Sequence, residues 1–221
     1  VAASYFDVDG TLVSTNLVHP TVFYLLNQST PLATLRKVGR ALLKAPRMAA
    51  AELADRRVFN ELLFSSYEGM SEDRLILLAD EVFEKVIRPS MFRTSIDLVQ
   101  KSRDAGHEIV LVSGSLDVVL DLVAKHLGGA TVIGNRLEMK DRVATGKLLA
   151  PVIAGPEKAR VIRDHARANG HDLDECFAFS DSYSDVPMLS VVGHPAAVNP
   201  DKRLLLLAKA YSWPTFNLEA S

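Results

Sequence analysis

The chain has 221 residues, 48% of them hydrophobic and 24% charged, with a formal net charge of −2. This globular balance excludes general disorder, and the near-zero charge excludes a global basic field, so no nucleic-acid partner is expected. The single cysteine, Cys176, excludes an internal disulfide, and no apolar run approaches the roughly 18–20 residues that span a bilayer.

In chain order, residues 4–8 read as a short buried strand, 108–112 as a clearer one, 176–179 as a third and 196–198 as a weaker fourth. Each of the first three is a short apolar run without polar alternation, the pattern of buried parallel strands. Helical periodicity fills residues 90–105, 115–127 and 157–168, with Ser115 as the expected N-cap of the second and Gly106, Gly128 and Gly170 as stops. Strands alternating with helices predict an α/β fold built on a doubly wound, Rossmann-like parallel sheet. Residues 18–87 break that alternation with helical patterns separated at Pro31, Pro46 and Gly69. The expected division is a core of residues 1–16 and 89–221, with a helical insertion over 17–88. Residues 136–143 alternate weakly around Lys140-Asp141, a candidate hairpin.

Four features carry chemistry. Asp7-Val8-Asp9-Gly10-Thr11 follows the first strand, where ligands of open α/β sheets bind. Two carboxylates aimed at one point repel unless a cation or proton separates them, and oxygen ligands of this kind suit Mg²⁺. Ser113-Gly114-Ser115 places hydroxyls and free N–H groups at a strand end and helix start, an anion site. Lys158 sits near the start of the next helix, and Asp181 and Asp185 follow the third strand. Taken singly, these read as an acidic turn, a capping serine, a surface lysine and a capping loop. The six histidines are scattered without metal-ligand spacing, so no zinc site is expected.

In order and spacing the four features resemble the motifs of the haloacid dehalogenase superfamily of phosphohydrolases. Leu111–Ser115, Gly134-Asn135-Arg136-Leu137 and Gly146 are similar to its phosphoserine-phosphatase-like branch, subfamily IB. The insertion matches that superfamily's type 1 cap. The resemblance implies a Mg²⁺-dependent phosphomonoesterase with Asp7 as nucleophile and Asp9 as general acid and base. Mg²⁺ would be held by Asp7, the Asp9 carbonyl and Asp181. Ser113 and Gly114 would bind the phosphoryl group, Lys158 would neutralise charge, and Thr11 and Asp185 would support the site. An acid at Asp9 sets the chain apart from the superfamily's dehalogenases and ion pumps.

Substrate is less determined, because one fold hosts many. Phosphoserine phosphatases of the family carry an amine-binding Glu where this chain has Asn16. Arg57, or its neighbour Arg56, matches their carboxylate-binding Arg. The expected substrate is a small or lipid-like phosphate ester; phosphoserine, phosphoryl transfer to an acceptor, and a domain excised from an acyltransferase fusion are the alternatives. The stretch from Arg36 to Arg57 holds seven basic residues against the acids Glu52 and Asp55. Its leucines make a basic amphipathic helix that suits an anionic membrane surface, a phosphate-gathering face or simple bundle packing. The expected location is cytoplasmic, with peripheral membrane contact through this helix.

Overall fold

The computed structural model describes residues 2–27 and 31–218. Strand β1 (Ala3–Phe6) is followed by helices α1 (Val18–Leu26), α2 (Pro31–Ala54), α3 (Arg56–Phe64) and α4 (Glu72–Val82). Then come α5 (Ser95–Asp104), β2 (Glu108–Leu116), α6 (Asp117–His126), β3 (Thr131–Asn135), β4 (Leu137–Lys140) and β5 (Val143–Leu148). The chain closes with α7 (Pro156–Asn169), β6 (Phe177–Ser180), α8 (Val186–Leu189), β7 (His194–Val198), α9 (Lys202–Ala210) and β8 (Thr215–Phe216).

Six strands form one parallel sheet in the order β3-β2-β1-β6-β7-β8. The alternation of side chains along each strand explains the two layers of helices. Phe6, Ile109, Leu111 and Phe179 face α5 and α6, where Val99, Leu120 and Val123 cover them. Tyr5, Val110, Val112 and Ala178 face the other way, onto Ile162 of α7, Met188 and Leu189 of α8 and Leu204 of α9. Both faces are buried, which is why these strands carry apolar runs and no alternation. The chain moves from β1 outward through β2 to β3, then returns to β6 on the other side of β1. That reversal opens a crevice at the carboxyl end of β1.

Local differences from the expected elements have identifiable causes. Strand β2 runs on through Ser115 to Leu116, so Ser115 does not cap the helix; α6 starts at Asp117, and its N-cap, Leu116, makes no side-chain bond. The hydroxyl of Ser115 is instead drawn to Asp9. Pro46 does not divide α2, which runs unbroken for 24 residues. Proline removes one intrahelical donor, and Pro46 is exposed, so the bond is lost on the solvent side. Two elements carried no usable sequence signal. These are the edge strand β3, partly exposed along most of its length, and the two-residue β8.

The hairpin stands apart as a two-stranded antiparallel sheet, turning at Asp141 and Arg142, both at positive φ. It joins the helical stretch: Ala144 N–H donates to the Met70 carbonyl (2.7 Å), and Arg142 pairs with Glu72 and Asp73 of α4 at 2.9 Å. Gly146 takes φ +79, and a Cβ there would lie 2.9 Å from Glu68 Cβ. The helices between β1 and β2 pack Tyr24, Phe59, Leu63, Tyr67 and Leu78 together, continuous with the core on the α5–α6 face. Among the described residues, no helix is long and apolar enough to cross a membrane.

Candidate active site

The strand ends at the crevice bring the four sequence features to one place. Asp7 follows β1 and is held by its own backbone, whose N–H donates to the Phe179 carbonyl (2.9 Å) and extends the β1–β6 pairing. Its carboxylate is buried and doubly engaged. Oδ1 accepts from Lys158 Nζ (2.6 Å) and Oδ2 from the Thr11 hydroxyl (3.1 Å). Thr11 Oγ1 also lies 3.2 Å from Asp181 Oδ1, so one hydroxyl spans two carboxylates. Lys158 reaches from the first turn of α7 and bonds Asp185 Oδ2 at 2.7 Å. The Ser180 hydroxyl donates to the same oxygen at 2.8 Å.

The electrostatics follow from burial. Desolvation pushes the Asp7 carboxyl well above the usual carboxylate range, against the pull of Lys158. Desolvation raises Asp181 too, helped by the charge of Asp185. Burial by itself would depress Lys158, but Asp185 and Asp7 outweigh it and hold the ammonium above its ordinary value. The cluster therefore has an excess of buried negative charge beyond its one lysine. An additional cation placed between Asp7 and Asp181 relieves it, and these hard oxygen donors suit Mg²⁺. Gly10 makes this geometry possible: at φ +85, a Cβ on it would fall 2.2 Å from Asp181 Oδ2.

Asp9 lies on the other side of Asp7. Its Oδ2 accepts from the hydroxyls of both Ser113 and Ser115 at 2.9 Å. Burial raises its carboxyl, and these two hydrogen bonds work the other way. Gly114 lies between the serines on strand β2. A Cβ there would meet Asn60 Nδ2 at 2.9 Å and the Ile153 carbonyl at 3.3 Å. Asn135, fully buried, ties this level together by donating to the Gly114 carbonyl (2.7 Å) and accepting from Ile153 N–H (2.8 Å).

Asp7, Asp9, Gly114, Lys158, Asp181 and Asp185 line a cavity of about 320 Å³ that also includes Asn16, Glu52, Arg56 and Asn60, while Ser113 and Thr11 are fully buried behind that lining. It adjoins an outer cleft of about 1010 Å³ and shares Glu52, Arg56, Ser182 and Ser184 with it. The structure separates the two candidate arginines. Arg56 lines the inner cavity, whereas Arg57 is 65% exposed, pairs with Glu61 and reaches only the outer cleft. The cause is helical geometry: adjacent residues on α3 point about 100° apart. Asn16 lies at the cavity edge, where its Oδ1 accepts from Val18 N–H (3.0 Å) at the start of α1.

Glu52 and Asn60 were missed from the sequence. Glu52 is one acid in a basic stretch, paired with Arg56 one turn on at 3.4 Å. Asn60 is a lone polar residue on an amphipathic helix. Only the fold shows that it is 1% exposed, donates to the Ile153 carbonyl (3.3 Å) and has no bonding partner for Oδ1 among the described residues.

Similarity to known proteins agrees with this arrangement. The chain is 33% identical over 217 residues to a phosphoserine phosphatase of Mycobacterium tuberculosis, covering 96% of this chain and 69% of that one. Its fold is similar to that of a protein of unknown function from Bordetella pertussis, with TM-score 0.81, 24% identity and 97% of each chain covered. It is also similar to a substrate-bound phosphoserine phosphatase, with TM-score 0.70, 17% identity and coverage of 97% and 92%. The haloacid dehalogenase-like hydrolase family matches residues 5–190, a span that includes every residue of the buried cluster. The chain belongs to the haloacid dehalogenase-like hydrolases.

Proposed function

We propose that the protein is a Mg²⁺-dependent phosphomonoesterase that works through an aspartyl-phosphate on Asp7. The observation that carries this reading is the buried Asp7–Lys158–Asp185 chain beside Asp181 and Asp9 at the mouth of the β1–β6 crevice. Asp7 attacks phosphorus, the ester P–O bond breaks, and the leaving oxygen takes its proton from Asp9. Asp9 then accepts a proton from water as that water attacks phosphorus and the Asp7–phosphorus link breaks. A carboxyl raised by burial and held by two serine hydroxyls suits both roles. The Gly114 N–H binds a phosphoryl oxygen, the Ser113 hydroxyl does so by turning from Asp9, and Lys158 balances the charge that gathers beside Asp7. Asp7, the Asp9 carbonyl and Asp181 would hold Mg²⁺, which would supply Lewis-acid charge neutralisation at this site. Asp185 positions Lys158.

In this reading the helices between β1 and β2 form a cap, residues 17–88, over a core of 1–16 and 89–221. Capping explains why Glu52, Arg56 and Asn60 share the cavity with Asp7. The test is phosphate release across a panel of phosphate esters, with and without Mg²⁺ and with an alcohol acceptor present. Release that needs Mg²⁺ and forms no phosphorylated acceptor is expected. Equal transfer to the acceptor would make the protein a phosphotransferase.

The inner cavity favours a small ester with charged groups beyond the phosphate. Glu52 and the unpaired Asn60 Oδ1 can accept from an ammonium or hydroxyl, and Arg56 can take a carboxylate. Phosphoserine has this set of groups, which brings it back as the second reading despite Asn16. Arg56→Ala should raise KM for such an ester roughly tenfold or more, as loss of a charge-assisted hydrogen bond does. Arg57→Ala should leave KM within twofold, roughly the scatter of a neutral surface change. Equal effects of the two variants would contradict this placement.

Helix α2 supports peripheral contact with an anionic membrane, and with it a lipid-like substrate. Leu32, Leu35, Leu42 and Leu43 are 67–85% exposed there, and Arg36, Arg40 and Arg47 are exposed beside them. Lys37 and Lys44 turn inward instead; Lys37 bonds the Tyr24 hydroxyl, and Lys44 bonds Ser65 Oγ at 2.7 Å. Residues 31–51 contain no acid. Each exposed arginine contributes about 1 kcal/mol near an anionic surface. Sedimentation with phosphatidylglycerol vesicles, but not with phosphatidylcholine vesicles, is expected. The Leu42→Glu, Leu43→Glu double variant should lose it and keep wild-type turnover of a soluble ester. Binding unchanged in that variant would remove α2 as the contact.

A further inference from the structure

At the end of the sheet away from the Asp7 cluster, the fold gathers two histidines and a glutamate that look unrelated in sequence. Glu108 opens β2, five residues and roughly 16 Å along the strand from Ser113. His165 lies in the last turns of α7, and His171 follows that helix after Gly170, whose φ of +69 turns the chain back toward the sheet. The three side chains offer ligand atoms all within 4.8 Å of one another. His171 Nε2 is 2.7 Å from Glu108 Oε2, and His165 Nε2 is 3.5 Å from Glu108 Oε1. The two imidazoles stack at 20° with centroids 5.7 Å apart, so both present Nε2 to the same carboxylate.

We propose that Glu108, His165 and His171 form a second metal site, for a divalent transition metal of the zinc type, separate from the catalytic Mg²⁺ site. Zinc with bonds of about 2.0–2.1 Å in tetrahedral geometry sets its ligand atoms roughly 3.3 Å apart. The spacings of 2.7 and 3.5 Å lie on either side of that value. Two imidazoles and one carboxylate are a donor set for zinc-like ions rather than Mg²⁺. The fourth position is left for water.

The surroundings of the cluster fit ligation. His165 Nδ1 is 3.2 Å from the Tyr5 hydroxyl, and the Thr131 hydroxyl donates to Glu108 Oε1 at 2.7 Å. Partners of this kind orient metal-binding imidazoles and carboxylates. With Nδ1–H donating to Tyr5, His165 Nε2 carries a lone pair aimed at a carboxylate oxygen 3.5 Å away. The other tautomer does no better, since 3.5 Å is long for an N–H···O bond. A Glu108–His171 hydrogen bond closes two of the three groups without metal and leaves His165 Nε2 facing Glu108. The metal accounts for all three.

The test uses the Asp181→Asn chain, in which the catalytic acid cluster is weakened as a competitor, and titrates it with Zn²⁺ and Co²⁺. One equivalent of metal per chain is expected, with the visible absorption of histidine-ligated Co²⁺ and a higher melting temperature. His165→Ala and His171→Ala should each abolish the absorption. Tyr5→Phe keeps the ring and removes only the hydroxyl that orients His165; affinity should fall about 10–100-fold. Glu108→Gln keeps the size of the side chain and its bond to Thr131, so a loss there is not a folding defect. In the otherwise wild-type chain, the His171 variant should keep full Mg²⁺-dependent turnover. A Co²⁺ spectrum unchanged in both histidine variants, or no uptake by the Asp181→Asn chain, would overturn the proposal.

Discussion

Asp7→Asn is expected to lower phosphate release by roughly four orders of magnitude or more, since the nucleophile itself is removed. The substitution keeps the shape of the side chain: its amide oxygen can still accept from Lys158, and its NH2 can donate to the Thr11 hydroxyl, the two groups that bond the carboxylate oxygens at 2.6 and 3.1 Å. The fold should therefore survive. It should even melt no lower than the parent in Mg²⁺-free buffer. Burial already works against a charge at Asp7, and the cluster holds more acids than its one lysine balances. Phosphate release and a thermal melt on the same preparation make the check. A variant near the wild-type rate would displace Asp7 as nucleophile. A variant that was inactive only because it unfolded would melt far below the parent.

Lys158→Met should show the opposite pattern, with both activity and stability lost. Lys158 is 5% exposed and bridges Asp7 and Asp185 at 2.6 and 2.7 Å. Removing one partner of a buried ion pair leaves uncompensated charge and costs roughly 3–5 kcal/mol. Turnover should fall roughly a thousandfold, as for loss of a preorganised group that stabilises transition-state charge. Adding Asp185→Asn removes one of the stranded carboxylates. The double variant should regain part of the stability and none of the turnover. Chemical denaturation of the single and double variants, beside kcat for each, separates the two roles. A single variant as stable as the parent would mean that the ammonium is not the cation holding this cluster together.

The contrast between these two variants comes from a site whose members are hard to weigh singly in the sequence. Lys158 reads as one surface lysine among many until α7 carries it against Asp7. Ser115 reads as a helix cap because serine at the end of an apolar run usually is one. In the structure β2 continues past it, since Leu116 pairs with Asn135 of β3, an edge strand with no apolar run of its own. The arginine pair shows the same limit at finer scale. Arg56 and Arg57 are indistinguishable by composition, and only the rotation of α3 decides which one enters the cavity. The histidines are a further case. Scattered in the sequence, His165 and His171 are set by the fold on either side of the turn at Gly170, both against Glu108.

Short-range physics accounts for what was legible beforehand. Apolar runs that lead into Asp7, Ser113 and Ser180-Asp181 reveal parallel strands and the side on which they open, because a strand buried on both faces is mostly apolar along the sheet. The alternation of such strands with helices gives the fold class, and the resemblance of the order acid pair, hydroxyl, lysine and acid pair to known motifs gives the family. What pairs across the chain lies beyond any local pattern. The sheet order puts Asp7 beside Asp181 across 174 positions of sequence, and the helices after β1 bring Glu52, Arg56 and Asn60 over the same cavity. Burial then sets the charge state of the cluster, because desolvation is a property of the packed neighbourhood and not of the residue.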